Sequence, residues 1–389
     1  MALNTVSSDR LSTNVKNTNF TASEKQDLTD DILPLAGQIG NRNLIINGAM
    51  QVAQRGTSEA SVSSSKYANA PDRWRFIASN AGTWTLSQST TSPNLFKNSY
   101  KFDCTTADSS LGAADFLAFD QALEGKDLQG LGWGTSDAKS LTVSFHVRSN
   151  KTGTYTCELF QGDGATGGSN ILVSKSYTIS AQDTWEKKTI TFSGNTAVAF
   201  TNDNSRQLTL NFWLGAGSNF SGGTFSDGTF HNAANRRVAS GQVNLADNTS
   251  NEWYITGVQL EVGSVATDFE HKSFTDEYLR CARYFQRLGG TRKYFVGRTS
   301  NNDGLHASPS CAVPLRTTPT ITMSGSYELF SSVGQGSSST TPTVDTYNTD
   351  DFNNCFLGDI FFVMSGSYAN DARVGVVRQN NPINFDAEL

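Results

Sequence analysis

Four histidines, His146, His231, His271 and His306, are the whole supply of imidazole bases in 389 residues. A nucleophilic triad needs a serine or cysteine beside such a base, with a carboxylate to orient it. No serine of this chain sits in a Gly-x-Ser-x-Gly elbow. His146 alternates against Leu141, Val143, Phe145 and Val147, which puts it on the opposite face of a strand from the apolar row. Metal chemistry is no better served: there is no His-Glu-x-x-His, no Cys-x-x-Cys and no EF-hand loop. The run GDGATGGSN at 162–170 is rich in oxygen but lacks calcium-loop spacing, so it reads as a hairpin turn. Glycoside hydrolysis needs two carboxylates across a cleft. The doublets Asp30-Asp31 and Asp350-Asp351 are adjacent, and neighbours on a strand point to opposite faces. The sequence thus offers no catalytic residue, no metal site and no cofactor site.

Recognition chemistry is better represented. A pyranose stacks its apolar face on an aromatic ring and offers its hydroxyls to Asn, Asp, Gln and Arg. Of the six tryptophans, Trp74 shares parity with Phe76, Trp84 with Leu86 and Trp253 with Ile255, so these three belong to a core. Trp213 alternates against Leu208, Leu210, Phe212 and Leu214, and Trp133 stands in the glycine-rich run LGWG. Both are stacking candidates; burial under loops or in a subunit interface is the alternative. The long insert 215–251 adds Phe225 and Phe230 as rings and Asn235, Arg236 and Arg237 as a polar rim. The same insert also suits an arm between subunits.

The elements that must hold these residues are β-strands. Gly 34, Phe 24 and Pro 8, with many Ser, Thr and Asn between short apolar alternations, mark turns joining strands. The clearest strands are 141–148, 155–159 and 208–214, with others near 44–53, 72–78, 84–88, 114–119, 171–179 and 187–193. This pattern predicts an all-β chain with a jelly-roll sandwich over 41–270. No internal period of 20–50 residues is present, which excludes a solenoid or propeller. Residues 291–389 read as a further β domain, closed by NPINFDAEL as an edge strand.

Between the two lies EWYITGVQLEVGSVATDFEHKSFTDEYLRCARYFQRL, residues 252–288. It reads as a last core strand with a bulge at Gly257, then a linker helix within 271–290. Ser273 is its N-cap, and Phe274, Tyr278, Cys281, Phe285 and Leu288 recur at helical spacing before Gly289-Gly290. Phe274, Tyr278 and Phe285 fit a stripe for oligomerisation; covering the β domains is the alternative. Residues 1–40 form a polar arm with too little apolar content to fold alone. Thr21 and Glu24 are spaced as a capping box, and Leu28, Ile32 and Leu35 share one face of a short helix near 22–33.

The net charge of -6 argues against a protein that tracks nucleic-acid phosphates. No apolar run is long enough to insert into a membrane. Five scattered cysteines suit folding in a reducing cytosol, and MALNTVSSDR has no apolar signal core.

The 252–288 stretch resembles a junction found in many bacteriophage tail-fibre and related virion proteins. NLIINGAMQVAQRG at 43–56, APDRW at 70–74 and VPLRTTPTIT at 313–322 are similar to the same family. The resemblance implies a non-enzymatic virion structural protein, a tail fibre or receptor-binding protein assembled in the host cytoplasm. Its expected partners are two more copies in a homotrimer, another virion protein docked through residues 1–40, and host cell-surface carbohydrate. A capsid- or neck-attached fibre or decoration protein would use the same parts, and a polysaccharide depolymerase is the rival of another class. The central domain also resembles jelly-roll carbohydrate-binding modules, which open with an NL-x-x-NG strand. Their closing DDV-x-L is TGVQL here, at 256–260, so the acidic pair that helps hold a structural calcium is missing.

Overall fold

The computed structural model describes residues 41–162, 170–288, 293–300, 304–307, 310–323, 327–331, 334–336, 360–363, 374–379 and 382–389. The arm residues Leu28, Ile32 and Leu35 lie outside them. Eleven strands build the central body. They are β1 (Ser58–Val62), β2 (Arg75–Ser79), β3 (Thr83–Ser89), β4 (Ser99–Thr106), β5 (Phe116–Glu124), β6 (Leu141–Ser149), β7 (Gly153–Gln161), β8 (Ile171–Ile179), β9 (Glu186–Phe192), β10 (Arg206–Ala216) and β11 (Glu252–Val262). One antiparallel sheet runs β1-β3-β4-β11-β6-β9 and the other β2-β5-β10-β7-β8. Together they form the expected all-β jelly-roll sandwich.

Alternation explains the core. Val143, Phe145 and Val147 on β6 and Phe102 on β4 face Phe119 on β5 and Leu210 and Phe212 on β10, all fully buried. Aromatic rings cross the gap edge-on: Phe102 meets Phe119 at 5.1 Å and Phe145 meets Phe212 at 4.9 Å. Trp74, Trp84 and Trp253 join this core, as parity predicts. Cys157 and Cys281 are buried too, and burial pushes both thiols up.

The expected strand near 44–53 is not one. Residues 43–52 form an irregular plug, with Asn47 and Met50 at φ +58° and +56°. Side-chain amides replace a ladder here. Asn43 donates to Val258 O at 3.1 Å and accepts from Leu260 N at 3.0 Å. Asn47 bonds Val52 O, Asp72 O and the amides of Gln51 and Val52. The plug leans on the bulge of β11, where Gly257 has φ +62° and register shifts between Thr256 and Gln259.

A four-residue turn of helix, α1 (Ser218–Ser221), opens the insert after β10. The second helix, α2 (Phe274–Ala282), starts as expected, with Ser273 Oγ accepting from Asp276 N at 3.1 Å. It ends nine residues on, not at Leu288. Phe285–Leu288 is instead a strand, β12, so Phe285 does not share a helical stripe with Phe274 and Tyr278. The reason is tertiary. Tyr284 and Phe285 are buried beneath the guanidinium groups of Arg73 and Arg55, at 3.4 and 3.7 Å from the ring centres. Tyr278 and Cys281 pack on Ile46, Val52 and Tyr284, so α2 covers its own sandwich, while Phe274 faces outward.

The remaining strands are β13 (Lys293–Ser300), β14 (Gly304–Ala307), β15 (Thr320–Met323), β16 (Tyr327–Ser331), β17 (Gly334–Gly336), β18 (Ile360–Val363), β19 (Val374–Gln379) and β20 (Ile383–Asp386). Six of them form a sheet in the order β17-β16-β19-β13-β14-β18. The terminal strand is not an edge: β20 lies between β12 and β15 in a three-stranded sheet. The chain thus leaves the sandwich at β12 and returns beside it at β20.

Candidate functional site

The outer face of the β2-β5-β10-β7-β8 sheet carries a groove of about 200 Å³. Its floor follows from strand parity. On β10 the apolar Leu208, Leu210, Phe212 and Leu214 point into the core, which turns Thr209, Asn211 and Trp213 outward. Register then sets their neighbours. Arg75 pairs with Asp120, Asp120 with Asn211, Asn211 with Glu158 and Glu158 with Ser174, so one polar row crosses all five strands. The next row places Ile77, Ala118, Trp213 and Thr156 side by side, and Thr209 stands opposite Phe160.

Two buried carboxylates in the polar row are each gripped by a fork. Arg75 donates Nε to Asp120 Oδ1 at 3.1 Å and Nη2 to Oδ2 at 2.7 Å. Arg237 donates Nε to Glu158 Oε2 at 2.8 Å and Nη2 to Oε1 at 2.6 Å. Asn211 adds a bond to Glu158 Oε1 at 2.9 Å. Burial pushes the Asp120 carboxyl up, against the pull of Arg75. The Glu158 partner holds the Arg237 guanidinium charged despite its burial. That guanidinium lies 4.8 Å from the centre of the Trp213 ring and 5.3 Å from that of Phe160.

The insert after β10 supplies one wall. It runs beside the edge strand β8 through bridges Leu172 to His231 and Ser174 to Asp227. Val238 is buried against Ala118 and Trp213. Phe220 meets Phe116 at 5.2 Å and Trp213 at 5.4 Å. Phe116, Phe160 and Phe220 remain part-exposed in the groove. Two groups beneath the floor, Trp213 Nε1 and Thr209 Oγ1, are buried and have no hydrogen-bond partner among the described residues.

The residues singled out in the sequence therefore separate. Trp213 and Arg237 meet at the groove, but Trp213 is not the stacking surface expected of it: it is only 3% exposed, covered by Phe220, Val238 and Arg237. Trp133 is packed away: it stacks on Phe200 at 5.0 Å, meets the edge of Phe230 at 5.8 Å and donates Nε1 to Lys139 O at 2.9 Å. Trp133 and Phe230 are thus joined to the core, and neither lines the groove. Phe225 does not line it either. Arg236 ties the insert to itself, donating to Thr224 O at 2.8 Å and to Ser226 Oγ. Asn235 is exposed, its carbonyl taken by Gly223 N at 2.7 Å. Sequence reasoning missed Arg75, Phe116, Asp120, Phe160, Arg206 and Asn211. Strand parity was the available signal, but it is silent on which strands lie side by side. Among the described residues no cluster of His, Cys, Asp and Glu is arranged to hold a metal.

No protein-family model matches this sequence, and no curated protein does. Solved structures with a similar outline include the enzymatically active domain of bacteriophage CBA120 tailspike protein 4, at 12% identity, TM-score 0.30 and 57% of this chain. The match spans 21% of the tailspike chain, about a fifth of its length. A putative sugar binding protein from Bacteroides thetaiotaomicron matches over 57% of this chain and 99% of its own, at 13% identity and TM-score 0.32. The CBM22-2 xylan-binding domain from Paenibacillus barcinonensis Xyn10C matches over 49% and 91%, at 13% identity and TM-score 0.29. None of these assigns a role to any residue here; the groove stands on its own geometry.

Proposed function

We propose that this protein binds a glycan in the groove across β2, β5, β10 and β7 and does not cleave it. The observation that carries this is the polar row with Asp120 and Glu158 each closed in an arginine fork. A glycosidase needs one carboxyl free to give a proton and another free to attack or to activate water. Here both carboxylates accept two bonds from a guanidinium, with side chains only 2% and 0% exposed. They sit two strands apart, about 10 Å across the sheet. Their work is to hold arginines and rings in place. Part-exposed rings beside fixed polar groups suit a sugar, whose apolar face stacks while its hydroxyls bond.

The sequence motifs extend this reading to a virion fibre, most simply a tail fibre or receptor-binding protein that attaches to host-surface carbohydrate, with residues 1–40 as its anchor. The fold gives those motifs a shared job. NLIINGAMQ, APDRW, TGVQL and CARYF meet at the plug and junction and supply none of the groove-lining residues, which suits a scaffold role. Several copies on one particle would multiply a weak site, by roughly 10²–10⁴ in avidity.

The test is affinity electrophoresis of the full chain and of Phe160→Ala through gels holding different polysaccharides. Retardation by at least one glycan, relieved about tenfold by the substitution, is expected from a lost stacking ring. Release of reducing sugar from the bound polymer, or retardation that ignores Phe160, contradicts the proposal. Immunogold labelling of particles separates tail from head or neck.

A further inference from the structure

We propose that the groove selects an anionic glycan, one whose sugar carries an oxyanion such as the carboxylate of a hexuronate. This rests on the reading of the groove as a glycan site. Three guanidinium groups, Arg75, Arg206 and Arg237, line it, against the carboxylates of Asp120 and Glu158. Two of the three are consumed in the forks already described. Arg206 is left over. Its neighbour in the ladder is Glu124, but both oxygens of Glu124 accept from Arg283, at 2.8 Å each. Among the described residues Arg206 makes no ion pair, and its guanidinium stands 5.7 Å from the centre of the Phe160 ring.

The hydrogen-bonding capacity left in the groove has the same sign. The Arg206 guanidinium is a donor only and is unspent among the described residues. The Asp120 and Glu158 carboxylate oxygens already accept from Arg75, Arg237 and Asn211. A spare donor that carries a positive charge asks for a ligand rich in acceptors and negatively charged. A planar oxyanion matches the guanidinium fork while the attached pyranose ring lies on Phe160. The whole chain carries a net charge of -6, so this cationic groove owes nothing to the general surface.

The experiment compares polygalacturonate with its fully methyl-esterified form, which keeps the backbone and removes the charge. A second pair, phosphomannan and mannan, tells phosphate from carboxylate. Binding of the full chain is followed by calorimetry at low salt. Polygalacturonate or phosphomannan is expected to bind about tenfold tighter than its neutral counterpart. Arg206→Gln should erase that ratio with thermal unfolding unchanged, and Arg206→Lys, which keeps the charge without the fork, should retain part of it. Equal binding of charged and neutral forms overturns the proposal, as does an unchanged ratio in a folded Arg206→Gln. If Arg206→Gln does not fold, a ratio identical in Arg206→Lys and the parent overturns it. Phe160-dependent binding of neutral glycans alone overturns it while sparing the glycan site. No binding to any polymer removes both.

Discussion

Arg73 and Glu388 form an ion pair across 315 residues of sequence, with side chains only 1% and 4% exposed. Arg73 also donates to Ala122 O at 2.8 Å and lies over the Tyr284 ring. Arg55 reaches the same carboxylate at 3.3 Å and Asp386 at 3.1 Å. Arg316 holds the carbonyls of Ala387 and Glu388 at 2.8 and 2.9 Å, and Tyr67 donates to Leu389 O at 3.0 Å. The last residues of the chain are therefore a clasp on the sandwich. Removing one partner of a buried pair leaves the other charged and unpaired, at about 3–5 kcal/mol. Glu388→Ala should lower the unfolding temperature sharply. The double change Arg73→Met with Glu388→Leu should cost less than Glu388→Ala alone. A Glu388→Ala protein that melts with the parent would show that the clasp carries no stability.

Two glycines hold the plug against β11. A Cβ on Gly48 would lie 2.1 Å from Val258 O, a backbone atom that itself follows the bulge. One on Gly257 would lie 2.5 Å from the Phe96 ring, in a left-handed backbone at φ +62°. Gly257→Ala should cost roughly 1–3 kcal/mol in strain. Gly48→Ala should cost more, because a backbone carbonyl held by Asn43 Nδ2 cannot rotate away as a ring can. Denaturant titration of both variants checks the order; a smaller loss in Gly48→Ala would contradict it.

These particular residues show what the sequence could disclose. The sandwich was legible because Leu208, Leu210, Phe212 and Leu214 alternate without interruption, and the bulge because parity breaks at Gly257. The plug was misread as a strand, since Ile45, Ile46 and Val52 are apolar like a strand; the amide bonds of Asn43 and Asn47 that replace the ladder are tertiary. The end of α2 was misread for the same reason. Phe285 falls at helical spacing from Phe274 and Tyr278, yet Arg55 and β20, distant in sequence, draw it into a strand. In the groove, Trp213 was visible by parity alone. Its partners were not, because the register of β5 against β10 joins residues some ninety positions apart. Trp133 and Trp213 both take the buried alternative, Trp133 beneath Phe200 and Phe230 and Trp213 beneath Phe220 and Val238, covers drawn from distant segments.

Two histidines set a pH limit. His146 is pushed below its ordinary 6.5 by burial and then by Lys187, with Nδ1 unpartnered beside the Phe96 ring. His231 is lowered by burial and then by Arg236. In each case the unfolded chain takes up a proton at a higher pH than the folded one does. Their contribution is complete above about pH 6.5 and is lost as pH falls through the folded values. Thermal unfolding should be level near neutrality and fall below about pH 6.5, and His146→Gln should flatten part of that slope. A further loss below about pH 4.5 is shared by Glu186, Glu252 and Glu270, whose carboxyls, against burial, are held below their ordinary range by Lys188, by Lys101 and by Asn43 N with Lys272. A flat profile from pH 7 to 5 would remove the histidine account.

Glu158 links stability to the shape of the groove. It fixes Arg237, and Arg237 fixes the insert wall over Trp213 and Phe160. In Glu158→Ala a guanidinium that is 19% exposed on its side chain loses its only carboxylate among the described residues. Because that charge reaches solvent in part, the cost should fall below the fully buried case, at about 2–3 kcal/mol. The wall should loosen with it: limited proteolysis is expected to cut first within the insert, near Gly222 and Gly223, where the parent resists. Glycan binding should fall with the wall, and Glu158→Gln, which keeps one acceptor for Arg237, should keep part of both. If Glu158→Ala instead bound glycan as the parent does while its insert was cut, the wall would be dispensable and the floor of β5 and β10 alone would hold the sugar.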